Sequence, residues 1–232
     1  MKNLVLASSG SVHGSGYLEY LLPTVDKLYK DVEEILFIPY AQPSGISYDD
    51  YTDAVQEAVS TLGIEVKGIH EFKDAKTAIK NAKGIFVGGG NTFLLVSKLY
   101  EFDLWDLLKE VIVQGTPYLG TSAGSNITGL TMHTTNDMPI VLPPSFNTLG
   151  IVPFNFNAHF IPADTNSTHR GETRETRIKE FQSIVSIPVL GIKEGSWLRV
   201  KGDDIFLRGG KEAYWFENKE IKIIDTNTNI KA

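Results

Sequence analysis

The residues Gly120-Thr121-Ser122-Ala123-Gly124 form a G-x-S-x-G stretch between Thr116-Pro117-Tyr118-Leu119, which reads as a short strand, and Asn126-Ile127-Thr128-Gly129-Leu130, which can open a helix. This is the pattern of a nucleophile elbow. The glycines relieve crowding at a tight turn, so the Ser122 hydroxyl stands beside backbone N–H groups at a helix N-terminus, where an oxyanion is stabilised. A plain Gly/Ser-rich loop carries the same letters, so the reading depends on a base, an acid and oxyanion donors elsewhere.

A second glycine run, Gly88-Gly89-Gly90, ends a strand and precedes a helix for which Asn91 is the expected N-cap. Its N–H groups, at Gly89 or Gly90, are candidates for one half of an oxyanion hole, and the N–H of Ala123 for the other. A phosphate loop is the competing reading, but neither G-x-G-x-x-G nor a Walker lysine is present. A simple tight turn is the bland one.

Five histidines are available as a base. His70 ends a strand and reads as structural or surface, His133 follows the elbow helix, and His13 and His169 lie in polar loops. His159, in Phe154-Asn155-Phe156-Asn157-Ala158-His159-Phe160, has apolar flanks that would hold the ring rigidly, and it is the best base. The acid that orients it is open between Asp137, in a loop before Pro139, and Glu194, after a predicted core strand. Either can accept the proton on the far ring nitrogen, and either can equally be a turn residue.

Composition narrows the function classes. The 232 residues are 42% hydrophobic and 22% charged, which suits one soluble globular domain spanning 1–232. The net charge of −6 argues against nucleic acid as the main partner; the nearest basic cluster, Arg170, Arg174 and Arg177, is interleaved with Glu172 and Glu175. There is no cysteine, so disulfides, thiolate metal sites and a cysteine nucleophile are excluded. No clustered metal-ligand set is apparent, and neither metal nor cofactor is expected. The N-terminal apolar stretch is too short for a secretion signal, and no run approaches the roughly 20 residues needed to span a bilayer, so a soluble, cytoplasmic protein without membrane partners is expected.

The elements that must hold these residues alternate. Short apolar runs at 4–7, 35–38, 64–69, 84–87 and 118–119 read as strands; 17–29, 48–62, 75–82, 93–100 and 104–113 read as helices. Near-continuous apolar strands between helices indicate an α/β, doubly wound, mostly parallel sheet with helices on both faces. After a helix over 174–185, closely spaced strands at 189–192, 197–200, 205–207, 213–216 and 221–224 read as a C-terminal antiparallel ribbon on one side of the same domain. The order Ser122–Asp137–His159 matches that of α/β-hydrolases, but the antiparallel tail replaces helices that sheet would need.

Together, Gly88-Gly89-Gly90-Asn91-Thr92, Gly120-Thr121-Ser122-Ala123-Gly124, Thr134-Thr135-Asn136-Asp137-Met138-Pro139-Ile140, His159-Phe160 and Gly171-Glu172-Thr173-Arg174-Glu175 stand in an order that resembles the peptidase E family, serine peptidases of family S51 that act as α-aspartyl dipeptidases. The resemblance runs over nearly the whole chain. It implies a class I glutamine amidotransferase-like fold, with serine in place of that class's cysteine. It also implies Ser122 as nucleophile and His159 as base, with the acid divided between positions matching Asp137 and Glu194. The expected activity is hydrolysis of small Asp-X dipeptides through an acyl-enzyme. Arg174, by its place in the Gly-Glu-Thr-Arg segment, is expected to receive the substrate aspartate, because a planar guanidinium matches a carboxylate in two hydrogen bonds. An exposed arginine loosely paired with Glu172 or Glu175 is the ordinary alternative. The rival functions are a cyanophycinase-like β-aspartyl exopeptidase on the same fold and a catalytically silent protein that binds an acidic metabolite. Homo-oligomerisation stays open.

Overall fold

The computed structural model describes residues 1–164, 166 and 171–230. Five strands, β1 (Asn3–Ala7), β2 (Glu34–Ile38), β3 (Glu65–Gly68), β4 (Ile85–Val87) and β5 (Tyr118–Thr121), pair in parallel. They alternate with α1 (Leu22–Leu28), α2 (Tyr48–Val59), α3 (Ala75–Asn81), α4 (Thr92–Glu101) and α5 (Trp105–Gln114). The crossover helices cover both faces of the sheet, which is why the strands are apolar on both sides. On β1, Val5 and Ala7 pack with the α1 and α2 face, whereas Leu4 and Leu6 join the core beneath α3, α4 and α5.

Beyond β5 come the single turn α6 (Ala123–Asn126), then β6 (Asn155–Asn157), α7 (Arg174–Ile184) and five strands: β7 (Val189–Ile192), β8 (Ser196–Lys201), β9 (Asp204–Gly209), β10 (Ala213–Glu217) and β11 (Glu220–Ile224). The expected C-terminal ribbon is divided between two sheets. The β8–β9 hairpin extends the main sheet antiparallel to β1, giving the order β3-β2-β4-β5-β1-β8-β9, while β7, β10 and β11 join β6 in a second sheet, β11-β10-β7-β6. Within these C-terminal strands the chain crosses between the sheets twice, at 193–195 and at 210–212. The crossings press together where Gly209 (φ +101°) meets the Gly195 carbonyl, a contact that a Cβ on Gly209 would make impossible.

Two helices differ from their sequence pattern. The apolar spacing over 17–29 yields only a 3-10 turn and α1. Leu18 sits at φ +58° with its N–H on the Gly10 carbonyl, so regular helix begins only at Leu22, with Pro23 in the first turn. The elbow helix begins at Ala123, immediately after Ser122, and lasts one turn. Among the described residues no helix is long and apolar enough to cross a membrane.

Candidate active site

β5 ends at Thr121, and Ser122 follows at φ +50°, ψ −108°, a backbone region that costs a non-glycine residue about 1–3 kcal/mol. Neighbours hold it there. The Ser122 N–H donates to the Ala7 carbonyl (3.0 Å), and Ser125 Oγ donates to the Ala7 and Gly120 carbonyls (2.7 and 2.9 Å). Gly124 backs onto the Val87 carbonyl with no room for a Cβ. Both flanking glycines are therefore steric requirements, as a Cβ on Gly120 would also stand 2.6 Å from the Gly124 carbonyl.

Ser122 Oγ and His159 Nε2 are 2.9 Å apart, and His159 Nδ1 and Glu194 Oε1 are 2.6 Å apart. The three groups come from different places: the end of β5, the turn after β6, and the first crossing between the sheets. His159 itself lies at φ +55°, with its N–H on Ser8 Oγ (2.9 Å). Asn136 and Asn157 exchange side-chain hydrogen bonds, each 3.1 Å, and Asn136 Nδ2 also donates to the Ala158 carbonyl (2.7 Å). The turn ahead of His159 is thereby tied to the Thr134–Asp137 loop.

Asp137 belongs to another cluster. Its Oδ2 accepts the N–H of Thr92, first residue of α4, and the hydroxyl of Thr135, both at 2.8 Å. Asn126 Nδ2 donates to Thr92 Oγ1 (3.0 Å) and Thr135 Oγ1 (3.2 Å). This network links the end of α6 to the start of α4, the two short segments that follow Ser122 and the glycine run. Of the two candidate acids, the one beside the His159 ring is Glu194.

The glycine loop lies against the serine: a Cβ on Gly89 would stand 3.2 Å from Ser122 Cβ. The Gly89 N–H, however, donates to the Tyr51 hydroxyl (3.1 Å), and its carbonyl accepts from Gln42 Nε2 (3.1 Å). Gly90 is at φ +138°, where a Cβ would collide with the Ala41 carbonyl. Among the described residues neither Gly90 N–H nor Ala123 N–H has an acceptor. Those two are the donors left free for an oxyanion, and Gly89 is occupied with fixing the loop. Asn91 caps α4 as expected, accepting from the Leu94 N–H at 3.1 Å.

A cavity of about 520 Å³ adjoins this array, lined by Asn136, His159, Ile161, Arg174, Lys193 and Glu194 among others. Arg174 opens α7. Its Nη1 is buried and, among the described residues, has no hydrogen-bond partner. Burial pulls its pKa below the usual arginine value, with Glu194 opposing and Arg177 adding to the drop. The surface pairings available to it go elsewhere: Glu172 meets Arg177 at 3.6 Å, and Glu175 accepts the Ala163 N–H at 3.1 Å. A buried donor without a partner is costly, and an incoming carboxylate satisfies it.

Two of the other histidines have partners elsewhere. His70 pairs with Asp49 (2.9 Å), and His133 stacks between Phe146 and Phe181, with burial lowering its pKa. His169 and Arg170 lie outside the described residues. Tyr51 and Ser8 gave no sign in the sequence, because Tyr51 sits on the core-facing side of α2 and Ser8 in an ordinary Ser-Ser-Gly turn.

Comparison with known proteins agrees with this architecture. The profile of peptidase family S51 matches residues 4–208. The chain is 47% identical to peptidase E of Streptomyces coelicolor over 214 residues, covering 92% of this chain and 87% of that protein. It is 44% identical over 219 residues to the probable alpha-aspartyl dipeptidase of Drosophila melanogaster, covering 93% and 90%. A crystal structure of a peptidase from an acI-B1 Actinobacterium superposes with a TM-score of 0.73 at 19% identity, over 100% of this chain and 97% of that one, and so shares its fold. With a family profile covering most of its length and relatives this close, the chain belongs to peptidase family S51.

Proposed function

We propose that this serine peptidase removes an N-terminal L-aspartate from dipeptides through an acyl-enzyme on Ser122. The observation that carries the reading is the Ser122–His159–Glu194 chain of hydrogen bonds beside the half-buried Arg174, one guanidinium nitrogen of which has no partner among the described residues. The names of the relatives point the same way.

Ser122 Oγ attacks the aspartyl carbonyl carbon while its proton passes to His159 Nε2. Glu194 holds the ring by accepting Nδ1–H, which fixes the tautomer and stabilises the imidazolium that forms. The oxyanion is received by the N–H groups of Ala123 and Gly90. Each such donor is worth about 2.7–4 kcal/mol in the transition state. The tetrahedral intermediate collapses, the C–N bond breaks, and His159 returns the proton to the leaving amine. Water, deprotonated by the same ring, then cleaves the ester and frees aspartate. Arg174 pairs with the aspartate side-chain carboxylate.

A panel of Asp-Leu, Asn-Leu, Glu-Leu and β-Asp-Leu tests this. Asp-Leu is the expected substrate. Asn-Leu is poor because a neutral amide leaves the guanidinium poorly satisfied, and Glu-Leu because one methylene displaces the carboxylate from a rigid fork. Arg174→Ala should cost about 2–5 kcal/mol in kcat/KM on Asp-Leu and little on Asn-Leu. Preference for β-Asp-Leu, or equal losses on both α-linked substrates, would overturn the assignment.

A further inference from the structure

Ser8 is a fully buried residue directly after β1, and its hydrogen bonds reach two of the three segments that carry the proposed triad, those of His159 and Glu194. Its hydroxyl accepts the His159 N–H at 2.9 Å and donates to the Ile192 carbonyl at 2.8 Å. Its backbone N–H donates to the Ser196 carbonyl at 3.1 Å. Ile192 and Ser196 bracket the crossing that holds Glu194, so one residue grips both ends of the acid's segment. The preceding residue, Ala7, accepts the N–H of Ser122. Residues 7 and 8 therefore touch the serine, histidine and glutamate segments together.

The hydroxyl spends its one proton on the Ile192 carbonyl and a lone pair on the His159 N–H, and Ile192 also accepts the Phe160 N–H at 3.0 Å. The His159 backbone needs such a hold. At φ +55° it lies in a left-handed region that costs a non-glycine residue about 1–3 kcal/mol unless its surroundings over-determine it. The ring must also meet Ser122 at one end and Glu194 at the other, and a misplacement of 1 Å can cost about 10²-fold in rate. We propose that Ser8 is a positioning residue for catalysis: its hydroxyl sets the His159 main chain against the Glu194 crossing, so that the ring bridges Ser122 and Glu194. The proposal rests on the reading of Ser122, His159 and Glu194 as the catalytic groups, and not on the identity of the substrate.

Three variants test it: Ser8→Ala, Ser8→Thr, and Thr148→Val as a control, which removes another buried hydroxyl bond (to the Gly129 carbonyl, 2.7 Å) without touching the site. Two rates are read in each: steady-state turnover of Asp-Leu, and the second-order labelling of Ser122 by a fluorophosphonate, which needs the Ser122–His159 pair but no aspartate recognition. Ser8→Ala is expected to lower kcat and the labelling rate together by about 10–100-fold with KM within threefold, and Ser8→Thr to recover most of both. Thr148→Val should lose melting temperature to a similar degree with both rates near wild type. If Ser8→Ala does not fold, Ser8→Cys, with its longer and weaker donor, takes its place in the same comparison. Labelling by Ser8→Ala within twofold of wild type would overturn the proposal, and so would an equal loss in Thr148→Val. If wild type is labelled but leaves Asp-Leu intact, the substrate reading fails, while the labelling comparison still decides the role of Ser8.

Discussion

Glu194 accepts one ring nitrogen and stands half-exposed, whereas Asp137 accepts a helix N–H and a hydroxyl inside a partly buried network. The two carboxylates should therefore fail differently. Glu194→Gln offers His159 Nδ1 an amide in place of an anion, and kcat should fall by up to about 10⁴-fold with the melting temperature nearly unchanged. Asp137→Ala strands two donors, so it should cost about 1–3 kcal/mol of stability. It should also lower kcat, because the freed start of α4 follows directly on Gly90. Thermal unfolding and turnover of both variants check this; an unchanged melting temperature in Asp137→Ala would count against the network. Ser122→Ala should abolish turnover with circular dichroism unchanged, since among the described residues the Ser122 hydroxyl bonds only to His159. In sequence either acid serves, Asp137 as a loop carboxylate within its motif before Pro139 and Glu194 as one that follows a predicted core strand. What separates them is which strand ends lie side by side, and that is settled only when β7 joins the second sheet and the crossing at 193–195 returns to β8 beside β1.

At the scale of elements, the site rests on two glycine-containing turns whose geometry is fixed by neighbours distant in sequence. Tyr51 Oη, 3.1 Å from the Gly89 N–H, stands between α2 and the loop after β4 and also meets the Tyr17 hydroxyl at 3.0 Å; burial is the main reason its pKa is raised. Tyr51→Phe keeps the ring packed on Phe37 and loses only the oxygen, so it should lower kcat about tenfold, roughly 1.4 kcal/mol, with KM little changed. Gly90→Ala faces both a positive φ and the Ala41 carbonyl, and about 10²–10³ in kcat should go with the displaced N–H. Much of this scale was legible in the chain. The apolar runs that became β1 to β5, the Asn91 cap and the glycines around Ser122 all follow from local sterics and periodicity. The start of α1 was not, because Leu18 takes a left-handed backbone with its N–H on the Gly10 carbonyl, a turn that apolar spacing does not register. Nor was the division of the C-terminal strands: the pattern of a short strand shows which of its faces are buried but not which neighbour it pairs with.

Across the whole molecule, the apolar cluster that runs from Leu4, Leu6 and Ile38 through α4 and α5 to Phe156, Leu190, Ile192 and Trp215 spans both sheets, with further clusters under α1 and α2 and around Phe160 and Phe216. Unfolding should therefore be one cooperative event, with far-ultraviolet circular dichroism and tryptophan fluorescence (Trp197 in the main sheet, Trp215 in the second) giving coincident transitions. Two separated melts would show the sheets to be independent. The pairing of β1 bears on how the protein comes into being. One edge of β1 is taken by β5, but the other waits for β8, whose residues lie nearly two hundred positions later. The Glu194 crossing arrives with it. During synthesis, then, a growing chain carries Ser122 long before Glu194, the carboxylate proposed to orient His159. On the proposed mechanism, hydrolysis should begin only once the Glu194 segment has been made, and a copy terminated before it should leave the peptides around it intact.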